Sequence, residues 1–478
     1  VTLSRRRFLG ATLAAGALTA LAACSSGAPP VVRRPAQRPL AIPPLAPVRD
    51  GVVELTAAPG ESAFLDGPTT PTWGYGGMPF GGPTIRARRG EEVVVRVTNR
   101  LPETTTTHWH GMTLPARMDG GPHQPIAPGE TWEARWRVDQ PAATLWYHPH
   151  PHGATERHVH RGLAGLLLVD DDVPVDLPDR YGLDDVPVIL TDRSFGPDGS
   201  FDTAHRNAVG LLGDTVLVNG TVAPYLDVRT TRVRLRVLNA SPARSYRLAV
   251  DAPMTLVGTD GGLLPSPHVV PDVALTPGER AEIVVDVAPG RRVMVRSVPD
   301  DLGAVNGIAT AAGGADTLDL LELRPADRLE ASSPVPAVLS REVPLSSGVS
   351  PRVRRFELSN NRINGRAMDM SRVDEVLEPG ATEIWELVNR HTLPHNIHVH
   401  DARLQVIAPG ERAWKDTVPV PPGQTVRVLV RVGPYADPEV PYMIHCHMLR
   451  HEDDGMMLQF LVVGAGQRPA AMVGHAHG

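Results

Sequence analysis

Apolar and polar residues alternate with period two along most of the chain, and three of these runs are copies of one pattern. Residues 90–99 read GEEVVVRVTN, 232–239 read RVRLRVLN and 380–389 read GATEIWELVN. Period-two alternation predicts a strand with one face on a core, and each run closes on an asparagine. Each is followed by a turn signal that opens another alternating run: Pro128-Gly129-Glu130, Pro277-Gly278-Glu279 and Pro422-Gly423-Gln424. Helical periodicity is nearly absent. Short strands punctuated by Pro/Gly turns predict sandwiches. The chain is therefore expected to be all-β, with three consecutive Greek-key β-sandwich domains over residues 46–172, 186–325 and 350–465. The Pro/Ser-rich stretch 331–351 would link the second to the third.

Composition agrees with this. A chain of 478 residues is too long for one ordinary domain, and 45 glycines with 48 prolines suit a turn-rich β-protein. The net charge of −6 implies no nucleic-acid partner. Residues 1–30 read as an export leader. Ser4-Arg5-Arg6-Arg7-Phe8-Leu9 is a twin-arginine signature, followed by an apolar run from Leu9 to Ala23 that is short for a membrane span. Leu21-Ala22-Ala23-Cys24 resembles a lipobox, which would make Cys24 a lipid-bearing N-terminus and place the protein in the periplasm or cell envelope. Residues 31–45 are Pro-rich and read as an extended tether. Only two cysteines occur, Cys24 and Cys446. A lone Cys446 in an oxidising compartment, flanked by histidines, is better explained as a metal ligand than as half of a disulfide.

The histidines fall on the repeat. His108-Trp109-His110 follows the first asparagine, and His395-Asn396-Ile397-His398-Val399-His400 follows the third. His148-Pro149-His150 and His445-Cys446-His447 follow the corresponding later strands, whereas the second copy carries no histidine at either place. The simplest arrangement is a metal cluster between the first and third domains, with the second as spacer. On a strand Cys446 faces one way and His445 and His447 the other, so one strand touches two centres. A thiolate with the imidazoles of His395 and His451 and the thioether of Met456 suits a blue-copper site. Eight imidazoles in four His-x-His pairs can share three further coppers. Four coppers store the four electrons that reduce O₂ to water. A structural zinc knuckle is the plainer alternative for Cys446 taken by itself.

The segments HWHG, HPHPHG, HNIHVH and HCHMLRHEDDGMM resemble the four copper-binding motifs of the multicopper oxidases. MDGGPH, AWKDTV and HEDDGMM bring the likeness closer to the bacterial three-domain laccases and copper-tolerance oxidases. The resemblance implies cupredoxin-like domains, four copper ions and O₂ as electron acceptor in a self-sufficient monomer. It also implies a type 1 site of His395, Cys446, His451 and Met456, type 2 copper on His108 and His398, and a type 3 pair on His110, His148, His150, His400, His445 and His447. Asp119 and Glu452 are candidate proton-relay carboxylates by the same resemblance. His152 is expected to support the site or the fold, His158 and His160 to lie at the surface, and Met457 and the Met368-Asp369-Met370 strand to lie in the core. His475 and His477 fall in a polar tail. The chain departs from the copper-tolerance oxidases in having no methionine-rich run, and His391-Thr392-Leu393-Pro394 precedes His395 without Asp or Met. This favours phenolic or aromatic-amine reductants over Cu(I). A copper-free envelope scaffold of the same fold is the alternative from another class.

Overall fold

The structure, a computed structural model, describes residues 38–172, 174–204, 206–342, 345, 352–408 and 413–469. The expected leader with Cys24, and His475 and His477, lie outside the described residues.

Each repeated run forms the same piece of sheet. Glu92–Asn99 pairs in parallel with Val52–Ser62 and antiparallel with Thr131–Arg137, the strand opened by the Pro128-Gly129 turn. Arg232–Asn239 takes the same two kinds of partner, Asp185–Arg193 and Arg280–Asp286. Thr382–Asn389 does so with Val353–Ser359 and Thr425–Val432. Their inward positions supply three separate cores, for example Val95 and Val97, Val233 and Leu235, and Trp385 and Leu387. The terminal asparagines explain themselves. Asn99 Nδ2 donates to the carbonyls of Glu103 and Ile126, and Asn389 Nδ2 to those of Leu393 and Val420. Asn239 does the same with Arg244 and Leu275. Each side chain staples the buried loop after its strand, whose polar groups would otherwise lack partners.

A second sheet closes each sandwich. In the first domain it sets His108–His110 antiparallel to Ala143–His148, with His108 opposite His148. In the third it sets His395–Val399 antiparallel to Asp437–Cys446, with His398 opposite His445. In the second, Tyr246–Val250 and Val293–Ser297 pair antiparallel with Leu248 and Val295 buried in the core. Two short helices follow the second histidine pair of each outer domain, Thr155–Arg161 and Leu449–Asp453. The Asp453 carboxylate accepts the Thr155 and Glu156 N–H groups at 2.8 and 3.0 Å, which caps one helix from the other domain.

Two expectations need correction. The tether expected over 31–45 is built into the fold from residue 38. Arg38–Pro39 adds a parallel strand to the second domain, Leu40 enters that core, and Ala46 and Pro44 exchange backbone bonds of 2.8 Å with Thr84 of the first. Its prolines hide the strand pattern, and two apolar anchors, Leu40 and the half-buried Ile42, suffice. The Met368-Asp369-Met370 stretch is a loop, with Met368 and Met370 half-buried and Asp369 exposed, not a core strand. It folds back on its own polar groups: the Asp369 carboxylate accepts the Ser371 N–H and hydroxyl, and the Met368 N–H donates to the Gly455 carbonyl.

Candidate metal centre

Eight imidazoles converge where the first and third domains meet. His108 stacks on His400 with ring centroids 3.9 Å apart, and His110 on His398 at 3.7 Å. His148 and His447 lie 5.4 Å apart, and His150 and His445 4.7 Å. Each stacked pair has one ring from either domain, so the cluster exists only in the docked molecule.

The outer nitrogens are held, and this orients the inner ones. His108 Nδ1–H donates to the Asp119 carbonyl at 3.0 Å, His148 Nδ1–H to the Pro149 carbonyl at 2.8 Å and His398 Nδ1–H to the Asp416 carbonyl at 2.9 Å. His110 turns the other way and donates from Nε2 to Asp416 Oδ1 at 3.0 Å. Nε2 of His108, His148 and His398 and Nδ1 of His110 are then buried without a hydrogen-bond partner, and His447 has none at either nitrogen. The Nε2 atoms of His150 and His400 approach His445 Nε2 at 3.2 and 3.3 Å. Burial and the neighbouring rings hold His110, His148, His150 and His398 well below the usual histidine range, and His400 down to about 4. These rings are neutral at neutral pH, with lone pairs aimed at a shared space. Orphaned buried acceptors of this kind fit metal ions.

Cys446 lies on the other face of its strand. Its Sγ is 3.5 Å from Nδ1 of both His395 and His451, and those two nitrogens are 3.1 Å apart. The His451 Nε2–H donates to the Ala208 carbonyl at 3.0 Å and the His395 Nε2–H to His391 Nδ1 at 3.1 Å. Met456 is fully buried, and its carbonyl accepts the Cys446 N–H at 3.1 Å. Burial pushes the thiol up to about 12, so a thiolate here needs a cation against it. One soft thiolate and two imidazoles, with Met456 buried in the same core cluster as Cys446, fit copper in a blue-type site.

Besides Asp416, two buried carboxylates touch the cluster. Asp119 Oδ2 accepts from His400 Nδ1 at 2.7 Å. Glu452 spans two rings, with Oε1 3.3 Å from His150 Nδ1 and Oε2 3.1 Å from His445 Nδ1. Burial works to raise both pKa values, and the adjoining imidazoles outweigh it and hold both carboxyls well below their usual range.

His158 and His160, expected at the surface, are buried. His158 bonds Thr105 Oγ1 at 3.0 Å and Glu103 Oε1 at 2.7 Å and packs edge-on to Trp73, while His160 packs on Phe201. His152 is exposed instead. Met457 is buried in a sheet strand. Sequence reasoning missed Asp416, which holds His110, and His391, which holds His395. The Asp416 signal lay in AWKDTV, and that of His391 in its spacing of four residues from a ligand.

The multicopper oxidase family profile matches residues 56–173 and 342–465, the two units that carry the histidines. A multicopper oxidase of Staphylococcus aureus is 33% identical over 426 residues, covering 85% of this chain and 88% of that protein. The chain belongs to the multicopper oxidase family. This oxidase also matches the solved structure of CueO from Ochrobactrum sp. with TM-score 0.81 and 33% identity, over 89% of this chain and 100% of the other. That protein is described as a laccase-like multicopper oxidase with activity towards lignin model compounds and lignosulfonate. The cell division protein FtsP of Salmonella typhimurium is 33% identical over 480 residues, covering 97% of this chain and 99% of that protein. The family implies copper, O₂ and an electron-donating substrate, and the protein is an oxidoreductase of that class.

Proposed function

We propose that this multicopper oxidase is laccase-like and withdraws single electrons from phenolic or aromatic-amine reductants. The reading rests above all on the complete donor set around one strand, with Cys446 on one face and His445 and His447 on the other. Four coppers bound there would supply one-electron uptake at the thiolate site and four-electron reduction of O₂ to water at the imidazole cluster. His395, Cys446, His451 and Met456 form the type 1 site. His108 and His398, whose ring centroids lie 5.7 Å apart and whose buried Nε2 atoms have no hydrogen-bond partner, would hold type 2 copper. The other six histidines hold the type 3 pair. His395 is itself buried and His391 is half-buried over it, so electrons arrive through the His391 ring.

Water formation consumes protons, and this chain supplies a route for them. A groove of about 520 Å³ is lined by Arg157, Glu156, Arg206 and Asp453, the residue next to Glu452 in the chain. Burial and the adjacent Glu452 push the Asp453 carboxyl up to about 8, so it carries a proton at neutral pH. Glu452 then delivers protons to the His150 and His445 side of the cluster, and Asp119 to the His108 and His400 side. Export by the twin-arginine route and lipidation at Cys24 belong to the same proposal.

The test is an anaerobic titration of copper-loaded protein, first with 2,6-dimethoxyphenol and then with Cu(I). Bleaching of the blue thiolate–copper band by the phenol, with recovery in air, is the expected result. Faster bleaching by Cu(I) assigns a copper-detoxifying oxidase instead. Absence of a blue band at full copper loading removes the type 1 assignment and returns the scaffold reading that the FtsP likeness favours.

A further inference from the structure

We infer that Arg280, in the domain that contributes no ligand, is a positioning residue of the histidine cluster. The inference rests on the copper reading above. Arg280 is completely buried where all three domains meet. A guanidinium carries five N–H donors, and here each has an acceptor. Nε–H donates to the Thr144 carbonyl of the first domain at 3.0 Å, on the strand that ends in His148. Nη1 donates to the Gly278 carbonyl at 3.0 Å and Nη2 to the Asp260 carbonyl at 2.9 Å, both in its own domain. The remaining two form a fork on Asp416 of the third domain, at 2.8 and 2.5 Å.

Asp416 carries the effect to the cluster. Its Oδ1 accepts the His110 Nε2–H at 3.0 Å, which leaves His110 Nδ1 facing inward, and its carbonyl accepts the His398 Nδ1–H at 2.9 Å. One residue therefore sets a ring from each ligand-bearing domain, and Arg280 sets that residue. The glycine of HWHG follows from the same packing. Gly111 has φ +86°, and a Cβ there would lie 2.4 Å from Asp416 Oδ2 and 2.7 Å from Arg280 Nη2. The turn that leads into Arg280 is a second wall. A Cβ on Gly278 would meet the His447 ring at 3.0 Å. The carbonyl of Pro277 and the hydroxyl of Thr276 hold Asn396, which accepts the His447 N–H at 3.1 Å. The middle domain is thus a third side of the centre, acting through residues 276–280.

The experiment compares copper-loaded wild type with Arg280→Met, Arg280→Lys and Arg236→Met. Arg236 is a control, because it too is buried and also bridges to Thr144, at 3.0 Å from its hydroxyl, and its partners are Asp185, Thr144 and Glu282, not Asp416. The readouts are the blue band, the electron paramagnetic resonance of the non-blue copper, copper retention against a chelator and the melting temperature. Arg280→Met is expected to keep the blue band, change the non-blue signal and retain cluster copper about 10- to 100-fold less tightly. Arg280→Lys, which keeps the charge beside Asp416, should recover part of that loss. Arg236→Met should lower the melting temperature alone. Wild-type copper signals in a folded Arg280→Met protein overturn the inference and leave Arg280 an interdomain staple. If Arg280→Met does not fold, wild-type copper signals in Arg280→Lys do the same, because lysine cannot make the Asp416 fork. A wild type that loads no cluster copper brings down the functional reading and this inference together.

Discussion

Glu452 is the proposed proton donor, because its two oxygens lie 3.3 and 3.1 Å from two rings of the cluster. Glu452→Gln keeps the size and removes the carboxylate. The turnover number should fall by about 10²- to 10⁴-fold, while the phenol still bleaches the blue band anaerobically at the wild-type rate. A slowed bleaching step would place Glu452 in electron uptake and not in proton supply. His391→Ala works the other way. Removing the ring that covers His395 Nε2 should speed bleaching by bulky phenols several-fold and leave cluster copper unchanged, as stopped-flow absorbance would read; unchanged rates would mean that electrons bypass this face. The donors were legible at this scale because Cys and His in alternation have few other uses. Asp416 and His391 were not, because an acid or a second imidazole acquires its role only from a neighbour that folding brings to it. His158 and His160 misled for a related reason. A histidine beside arginines looks solvated until Glu103, Trp73 and Phe201 are found around it.

The repeated strand and its closing asparagine are the unit of design at the next scale. The same side chain makes the same bonds three times, so the repeat in the sequence is a repeat of loop-stapling as much as of strands. Asn389→Ala leaves the Leu393 and Val420 carbonyls and the His391 N–H without their partner, which should cost about 2–4 kcal/mol. Asn239→Ala removes the same bonds in the second domain and should cost a similar amount. Only the first of the two loops leads to a copper ligand. Asn389→Ala should therefore also shift the blue band and loosen type 1 copper, and Asn239→Ala should lower the melting temperature with the spectrum unchanged. Equal spectra in both variants would show that the staple serves stability alone. Period-two alternation made these sheets legible, since it is the direct trace of one buried face. Residues 38–46 escaped it because their pairing uses backbone groups between prolines, and the helices at 155–161 and 449–453 because each is too short to show a period.

Across the whole molecule, folding gathers imidazoles into a buried space, and the copper-free protein carries the cost of that choice in acid. Burial first, and then the neighbouring rings or groups, hold His400 and His451 down to about 4 and His110, His148, His150, His395 and His398 well below the usual range. An unfolded histidine titrates near 6.5. The folded state therefore binds fewer protons than the unfolded state below that pH, and stability falls as pH falls. Its contribution is complete above about pH 6.5 and is lost as pH drops towards 4. At pH 5 His400 and His451, held down to about 4, each cost the copper-free protein about 2 kcal/mol relative to neutral pH, and the other five rings act in the same direction. Asp453 has the opposite sign. Its raised pKa costs stability as pH climbs from about 4 through about 8, and Glu156, Asp260 and Asp401, also raised by burial, act in the same direction. Copper competes with protons for the same lone pairs, so loading should flatten the acid side of the curve. Melting temperatures of copper-free and copper-loaded protein between pH 7 and pH 5 should diverge as the pH falls, with the copper-free form dropping steeply. Parallel curves would mean that the rings separate and rehydrate without metal, and that copper rather than the fold assembles the centre.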